Sequence, residues 1–117
     1  MVVSIEANAI PPLVKLLASS DDAVLQAACS ALRNICWSRD HPRAAAFVAG
    51  AVPYLISLLA SENIAVRGVA VWALEKISVY GPAQATLEYA IPTFRRLRSS
   101  GDVQTQQSAA TILQRIR

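Results

Sequence analysis

Residues 30–35 read SALRNI and residues 71–77 read VWALEKI, and the two stretches share one apolar frame. The letters A-L-x-x-I begin at Ala31 and again at Ala73, 42 positions later, whereas the polar letters around them change. Over 29 aligned positions of these two copies, 13 are identical, and a third copy follows at an offset of 39. Because the repeated letters are nearly all packing residues, the sequence predicts stacked repeats that bury their apolar faces against one another.

Each repeat is predicted to contain three helices. A Leu-rich helix starts at a proline, where the missing N–H costs nothing. These prolines are Pro11, Pro53 and Pro92. A longer third helix follows a polar break whose Asp or Asn can cap it. The breaks lie at residues 20–22, 62–63 and 101–102. A short first helix is predicted over residues 43–49 and 83–89, and Gly50 suits the end of the first of these.

The pattern (G/N)-A-(I/V)-P-x-L-(V/I)-x-L-L, followed by a polar break and A-x-x-A-L-x-N-I, resembles the armadillo repeat. The resemblance extends over the whole chain and implies an all-α fold, a right-handed α-solenoid of three three-helix repeats. The expected repeats, in one domain, cover approximately residues 1–37, 38–79 and 80–117. HEAT repeats are the nearest alternative, but they usually have two helices per unit, so the predicted short helices favour the armadillo class.

The third unit departs from the other two at positions where those units are apolar. Four of these positions become Arg95, Arg98, Thr105 and Ser108. A terminal repeat needs a polar outer face because no neighbour covers it, so residues 90–117 are predicted to form a capping repeat. The alternative is that the arginines form a binding patch. At the other end, residues 1–7 fit one short helix without a polar cover, which favours a chain that starts abruptly or was cut from a longer armadillo protein.

Composition predicts an ordered intracellular protein. Apolar residues make up 54% of the chain and charged residues 16%, which argues against disorder. No apolar run is long enough to span a membrane, and the N-terminus lacks the basic region of a secretory signal. Cys29 and Cys36 lie too far apart on one predicted helix to pair, so they are expected to be buried thiols in a reducing compartment, cytoplasmic or nuclear.

The positive charge is concentrated near the C-terminal end. The chain has a net charge of +3, and residues 91–117 contain five arginines and one acidic residue. This excess favours an acidic partner. The arginines lack interleaved aromatic residues, so nucleic acid is not the expected partner.

No motif in the sequence predicts catalysis. The single histidine, His41, stands in a predicted loop, and the four glycines are isolated from one another. One histidine and two distant cysteines cannot supply the roughly four ligands of a metal site. We therefore predict that the protein is not an enzyme and needs no cofactor, metal or small-molecule substrate.

The family resemblance implies a concave groove, lined by the third helices, that holds an extended peptide. Two positions four apart on each third helix face it together, and in nuclear-import members they are Trp and Asn. In this chain the pairs are Ser30/Asn34, Trp72/Lys76 and Thr111/Arg115. No unit keeps both residues, and Lys76 and Arg115 would repel a basic import signal. Basic residues here resemble the junction-and-signalling branch of the family, which grips acidic or phosphorylated segments.

The predicted groove residues follow the three third helices. They are Gln26, Ser30, Arg33, Asn34 and Trp37 in the first unit, Gly68, Trp72, Glu75, Lys76 and Val79 in the second, and Gln107, Thr111, Gln114 and Arg115 in the third. The two tryptophans are the expected anchors, with packing between adjacent third helices as the alternative role. Gly68 removes a side chain, which would let a partner or the neighbouring helix approach closely.

The predicted function is a non-catalytic protein–protein interaction module that binds an extended acidic or phosphorylated peptide along this groove. One alternative is the end of a larger armadillo scaffold that stacks or self-associates through its exposed repeat ends. RNA or polyanion binding by the C-terminal arginines and binding of a nuclear-import signal rank below these.

Overall fold

Every regular element that the structure describes is helical. A computed structural model describes residues 2–36, 40–99 and 102–116. The third helices of the three units are α2 (Asp22–Ile35), α5 (Ile64–Ile77) and α8 (Val103–Arg115). They form one row in which α2 packs against α5 and α5 packs against α8. This row confirms the predicted α-solenoid architecture.

The remaining helices form a second row behind the third helices. The Leu-rich helices are α1 (Val2–Leu16), α4 (Ala51–Leu58) and α7 (Ile91–Arg98). Each packs against the third helix of its own unit. The short helices are α3 (Asp40–Val48) and α6 (Gly81–Leu87), with a 3-10 turn at Glu88–Ala90. Because α3 contacts α1 and α6 contacts α4, each short helix joins its unit to the preceding one.

The repeated A-L-x-x-I frame is buried where units stack. Leu32 and Leu74 are both fully buried in the core. Ile77 is fully buried as well, whereas Ile35, at the same position of the first unit, is only half-buried. The difference arises because no preceding unit lies beside α2 in the part of the chain that the structure describes. The frame recurs in the sequence because it packs one unit on the next.

A side-chain cap begins each third helix, as predicted from the polar breaks. The caps are Asp21, Asn63 and Asp102. Their side-chain oxygens accept hydrogen bonds from backbone N–H groups two or three residues further on, at 2.7 to 3.3 Å. The Asn63 amide also donates to the Asp22 carboxylate at 3.1 Å, which links the starts of the first two third helices. Gly50 ends α3 in the left-handed conformation, with a φ of 89°, which a residue with a Cβ rarely adopts.

The first unit differs from the predicted three-helix pattern. Helix α1 continues without a break from Val2 to Leu16, with Pro11 and Pro12 inside it. Neither proline can donate an N–H to the carbonyl four residues earlier, so this helix lacks two backbone hydrogen bonds. Burial of Ile10 on one side of the prolines and Val14 on the other packs this part of the helix into the core. Over residues 2–36, the described part of the first unit, there are therefore two helices where the sequence predicts three.

The predicted polar outer face of the third unit is correct for Arg95 and Arg98, which are exposed, and wrong for two other residues. Thr105 and Ser108 are exposed by only 4% and 0%. They lie on the side of α8 that packs against α5, where the Ser108 hydroxyl donates to the Glu75 carboxylate at 2.7 Å. Their polarity belongs to the joint between units, and the capping role of residues 90–117 stays a prediction.

Candidate binding face on the third helices

The predicted groove residues lie along α2, α5 and α8, with an exposed Val79 just after the end of α5, and we call this surface the third-helix face. Trp37 lies outside the described residues. The other members occupy corresponding positions on neighbouring helices of the row, and several contact one another between units. These contacts determine which side chains remain available to a partner.

Arg33 and Trp72 form the main contact on the first half of the face. The Arg33 guanidinium carbon lies 3.9 Å from the centroid of the Trp72 ring, a cation–π arrangement between α2 and α5. The Arg33 Nη2 donates to the Asn34 side-chain oxygen at 2.7 Å. Trp72 is half-buried and Asn34 is exposed. Trp72 thus packs between adjacent third helices, the alternative role considered for it, while part of its surface stays open.

Glu75 and Lys76 lie on α5, one turn beyond Trp72. The two side chains form an ion pair at 3.6 Å and are exposed by only 15% and 17%. The second oxygen of Glu75 accepts the hydrogen bond from Ser108, and the Ser108 hydroxyl in turn accepts from Gln104 at 2.9 Å. Glu75 is therefore held by groups on both α5 and α8, and it orients the neighbouring lysine.

Arg115 ties α8 to the C-terminal end of α5. Its guanidinium donates to the Glu75 backbone carbonyl at 2.6 Å and to the Ser78 hydroxyl at 2.9 Å. The Ser78 hydroxyl donates to the same Glu75 carbonyl at 2.6 Å. A cation at this place also interacts favourably with the negative end of the helix dipole. Arg115 thus has a structural role that the sequence interpretation did not include.

The remaining members of the face have fewer contacts. The Thr111 hydroxyl donates to the Gln107 backbone carbonyl of its own helix at 2.9 Å, while Gln26 and Ser30 are half-buried. A methyl group built on Gly68 would have the Thr105 hydroxyl oxygen as its nearest neighbour, at 3.6 Å, an ordinary van der Waals distance. Packing of α5 against α8 therefore does not require the absence of a side chain at Gly68.

Sequence reasoning missed the side chains that anchor the C-terminal ends of the third helices. Arg43 of α3 donates from Nε to the Cys36 backbone carbonyl at 2.9 Å. Gln84 of α6 donates to the Ser78 carbonyl at 2.8 Å, at the corresponding joint of the next unit. The available signal was a long polar side chain one or two residues after the proline in each short helix. Both anchors hold the end of the third-helix face in place.

The third-helix face is basic on balance. Its described members include three cations, Arg33, Lys76 and Arg115, and one anion, Glu75. Glu75 is paired with Lys76 and hydrogen-bonded to Ser108. The face therefore presents an exposed amide, part of an aromatic ring and a surplus of positive charge, a combination suited to peptide carbonyls and anionic side chains.

The described residues show no arrangement typical of a metal site. No group of three or more His, Cys, Asp or Glu among them could hold an ion, and the side chain of His41 lies outside what the structure describes. Cys29 and Cys36 are free and buried, and burial raises their pKa values to about 12 and about 11. None of the described helices combines the length and apolar character that crossing a bilayer requires.

Comparison with known proteins gives the same architecture. The family model of the Armadillo/beta-catenin-like repeat matches residues 3–37 and 39–79, more than half of the chain. None of the curated proteins matches the chain.

Solved structures similar to the chain include designed armadillo proteins. One is the designed armadillo repeat protein YIII(Dq)4CqI, with a TM-score of 0.89 and 31% identity over 97% of this chain and 49% of that one. Another, designed for modular peptide recognition, has a TM-score of 0.84 and 30% identity, with coverage of 97% and 49%. A third, in complex with the peptide (KR)4, has a TM-score of 0.83 and 31% identity, with coverage of 97% and 48%. The chain spans about half the length of these proteins, and it belongs to the armadillo repeat family.

Proposed function

We propose that the protein is a non-catalytic protein-binding module that holds an extended acidic or phosphorylated peptide across the third-helix face. The observation that carries the proposal is the Arg33 guanidinium stacked on Trp72 and hydrogen-bonded to Asn34. This cluster joins an aromatic surface, a cation and an exposed amide at the junction of two units. The aromatic surface contacts aliphatic parts of a ligand, and the amide pairs with its backbone.

The charge of the face supports an acidic ligand. Arg33, Lys76 and Arg115 outnumber Glu75, and the carboxylate of Glu75 already accepts a hydrogen bond from Ser108. Arginine also matches the geometry of carboxylate and phosphate groups. One designed relative is in complex with the basic peptide (KR)4, so a protein of this fold binds a short charged peptide. For this chain we propose the opposite charge preference.

The test measures affinities for two peptides of equal length, one made of alternating Asp and Ser and the other (KR)4. Wild type is expected to prefer the acidic peptide, and phosphorylation of its serines should strengthen binding. Lys76→Glu should weaken that binding by several-fold, because it replaces a cation of the face with a second anion beside Glu75. Lys15→Glu is the matched control because Lys15 is an exposed cation on α1. Equal effects of the two substitutions, or a preference for (KR)4, would refute the proposal.

Substitution of Trp72 is a second test of peptide binding to the same face. Trp72→Ala should weaken binding of the acidic peptide, whereas Tyr89→Ala, at a side chain 65% exposed outside the face, should not. Circular dichroism and urea unfolding must show that the Trp72 variant remains folded at the assay temperature. A folded Trp72 variant with wild-type affinity would show that the peptide does not contact this face.

Self-stacking is a second candidate because one side of the first unit is open. Ala27 is exposed on α2, and Ala31 and Ile35 are half-buried, although their equivalents in the second unit are covered more fully. Light scattering over a range of concentrations tests this candidate. A mass that rises with concentration and becomes constant in the Ala31→Asp variant would favour it over a monomeric module.

A further inference from the structure

A groove of about 480 Å³ lies on the outer side of the third unit, between α7 and α8. It is lined by Ile91, Arg95, Arg98, Ala110, Leu113 and Gln114, and we call it the end groove. It shares only Gln114 with the residues of the third-helix face. Its volume lies within the range of roughly 300–1,000 Å³ that is usual for ligand sites. The end groove is therefore a second candidate surface, separate from the proposed peptide site.

The corresponding side of the Leu-rich helix is covered in the first two units. Val14 of α1 and Leu17, directly after α1, are buried, and α1 contacts the short helix α3 of the next unit. In the second unit Ile56 of α4 is half-buried and Leu59, directly after α4, is buried, and α4 contacts the short helix α6. The corresponding positions on α7 are Arg95 and Arg98, and no helix among the described residues covers them. This molecule thus shows twice that a short helix fits against this side.

The end groove combines an apolar floor with a basic rim. Leu113 is only 7% exposed, and Ile91 and Ala110 are half-buried, whereas Arg95 and Arg98 are exposed. Neither of these arginines has a hydrogen bond or an ion pair with any residue that the structure describes. No carboxylate lines the groove. A helix that packs here needs apolar residues for the floor and acidic residues for the rim.

We propose that the end groove binds a short amphipathic helix of a partner protein, with acidic residues beside its apolar stripe. The apolar stripe packs on Ile91, Ala110 and Leu113, as the short helices of the second and third units pack on the units before them. The carboxylates pair with Arg95 and Arg98, whose planar guanidinium groups can each donate two parallel hydrogen bonds to one carboxylate. Charge selects the partner and apolar contact retains it. The proposal does not depend on the peptide site of the third-helix face.

The test uses a synthetic amphipathic helix of about 14 residues, with Leu at helical spacing and Glu on both flanks, a length near the minimum for helicity. Its controls are a scrambled peptide of the same composition and a peptide with Lys in place of Glu. In wild type, only the first peptide should change the amide chemical shifts of Ala110 and Leu113, which line the end groove and not the third-helix face. Arg95→Glu/Arg98→Glu should weaken binding about tenfold or more and bind the Lys peptide instead, because the charges are then exchanged.

The Trp72→Ala/Lys76→Glu variant should show the same shift changes at Ala110 and Leu113 with the Glu helix as wild type does, because its substitutions lie outside the end groove. Four results would overturn the proposal. They are equal shift changes at Ala110 and Leu113 with the scrambled peptide, displacement of the peptide by poly(U) RNA, absence of any shift change at these two residues, and self-association of wild type that Arg95→Glu/Arg98→Glu abolishes. The second result would assign the arginines to a polyanion surface, and the last would assign the groove to a second copy of the chain.

Discussion

The guanidinium of Arg33 on α2 lies over the indole ring of Trp72 on α5, 3.9 Å from its centroid. The two side chains come from different units and occupy the surface on which a ligand is proposed to lie. The arrangement holds the first and second units together and fixes the orientation of the ring. A substitution of either residue should therefore change both stability and ligand affinity.

We expect the Arg33 and Trp72 side chains to be energetically coupled. Single and double substitutions to Ala, measured by urea unfolding, should give a favourable coupling free energy of about 0.5–2 kcal/mol, typical of a cation–π pair. Arg33→Lys should keep only part of it, because an ammonium cannot stack as a planar group does. Purely additive effects of the two Ala substitutions would contradict this prediction.

Arg115→Ala should lower the free energy of unfolding by about 1–3 kcal/mol, since hydrogen bonds from a charged group are lost. The loss falls on the Glu75 carbonyl and the Ser78 hydroxyl. Amide hydrogen exchange should quicken at the C-terminal end of α5 more than elsewhere. Gln114→Ala, at the exposed neighbouring position, is the control and should change stability little. A similar loss of stability in both variants would contradict a role for Arg115 in the contact between the second and third units.

Gly68→Ala should stabilise the protein by about 0.5–1 kcal/mol, because Ala favours helix and its methyl group has room at 3.6 Å from Thr105. Gly50→Ala should do the opposite, since Gly50 has a φ of 89°. Thermal unfolding of both variants checks the pair. Destabilisation by Gly68→Ala would mean that α8 or a bound partner lies closer to α5 than the structure shows.

Asp102 should make stability depend on pH at the acidic end. The Thr105 backbone N–H, followed by its side-chain hydroxyl, donates to the carboxylate and lowers the pKa of Asp102. The ionised Asp102 carboxylate therefore stabilises the folded protein fully above the unfolded pKa of about 3.9. This stabilisation is lost as the pH falls through the lower folded pKa.

The matched variant for Asp102 is Asp102→Asn, which keeps a capping oxygen without a charge. The stability difference between wild type and this variant should shrink as the pH falls below about 4. Asp102→Ala should cost about 1 kcal/mol at neutral pH through loss of the cap. A difference between wild type and Asp102→Asn that stays constant from pH 6 to pH 2 would contradict the assignment.

The two thiols should be unreactive in the folded protein. Burial raises the pKa of Cys29 to about 12 and that of Cys36 to about 11, so little thiolate forms near pH 8. Reaction with a disulfide reagent should proceed at the rate of opening and become fast for both thiols in urea. The variants Cys29→Ala and Cys36→Ala identify which thiol gives rise to each kinetic phase of the labelling reaction. Fast labelling of either thiol without denaturant would show that α2 opens locally.

The repeated frame made the architecture predictable from sequence, because residues such as Leu32 and Leu74 are apolar at a fixed period and are buried for that reason. The polar breaks predicted the caps equally well, since capping depends on local geometry. The continuation of α1 through Pro11 was not predictable in the same way. A proline favours the start of a helix locally, but α1 continues through it with residues buried on either side.

Polar residues were harder to assign. The sequence predicts Ser108 and Thr105 on an outer face, because the same positions are apolar in the other units, yet both side chains are buried against α5. Their partners, such as Glu75, are more than 30 residues away in the sequence. The identity of a polar residue alone does not indicate whether its side chain faces solvent or a hydrogen-bonding partner on another unit. The same holds for Arg115, whose acceptors on α5 were not visible from spacing.

The joint between α5 and α8 has a consequence for how this array could change during evolution or engineering. Ser108 is fully buried and donates to the Glu75 carboxylate. If the second unit were deleted, so that the third stacked on the first, the position of Glu75 would be taken by Arg33, which offers no acceptor. Ser108 would then be buried without its acceptor. The contact between α5 and α8 therefore restricts which unit can precede the third one in the array.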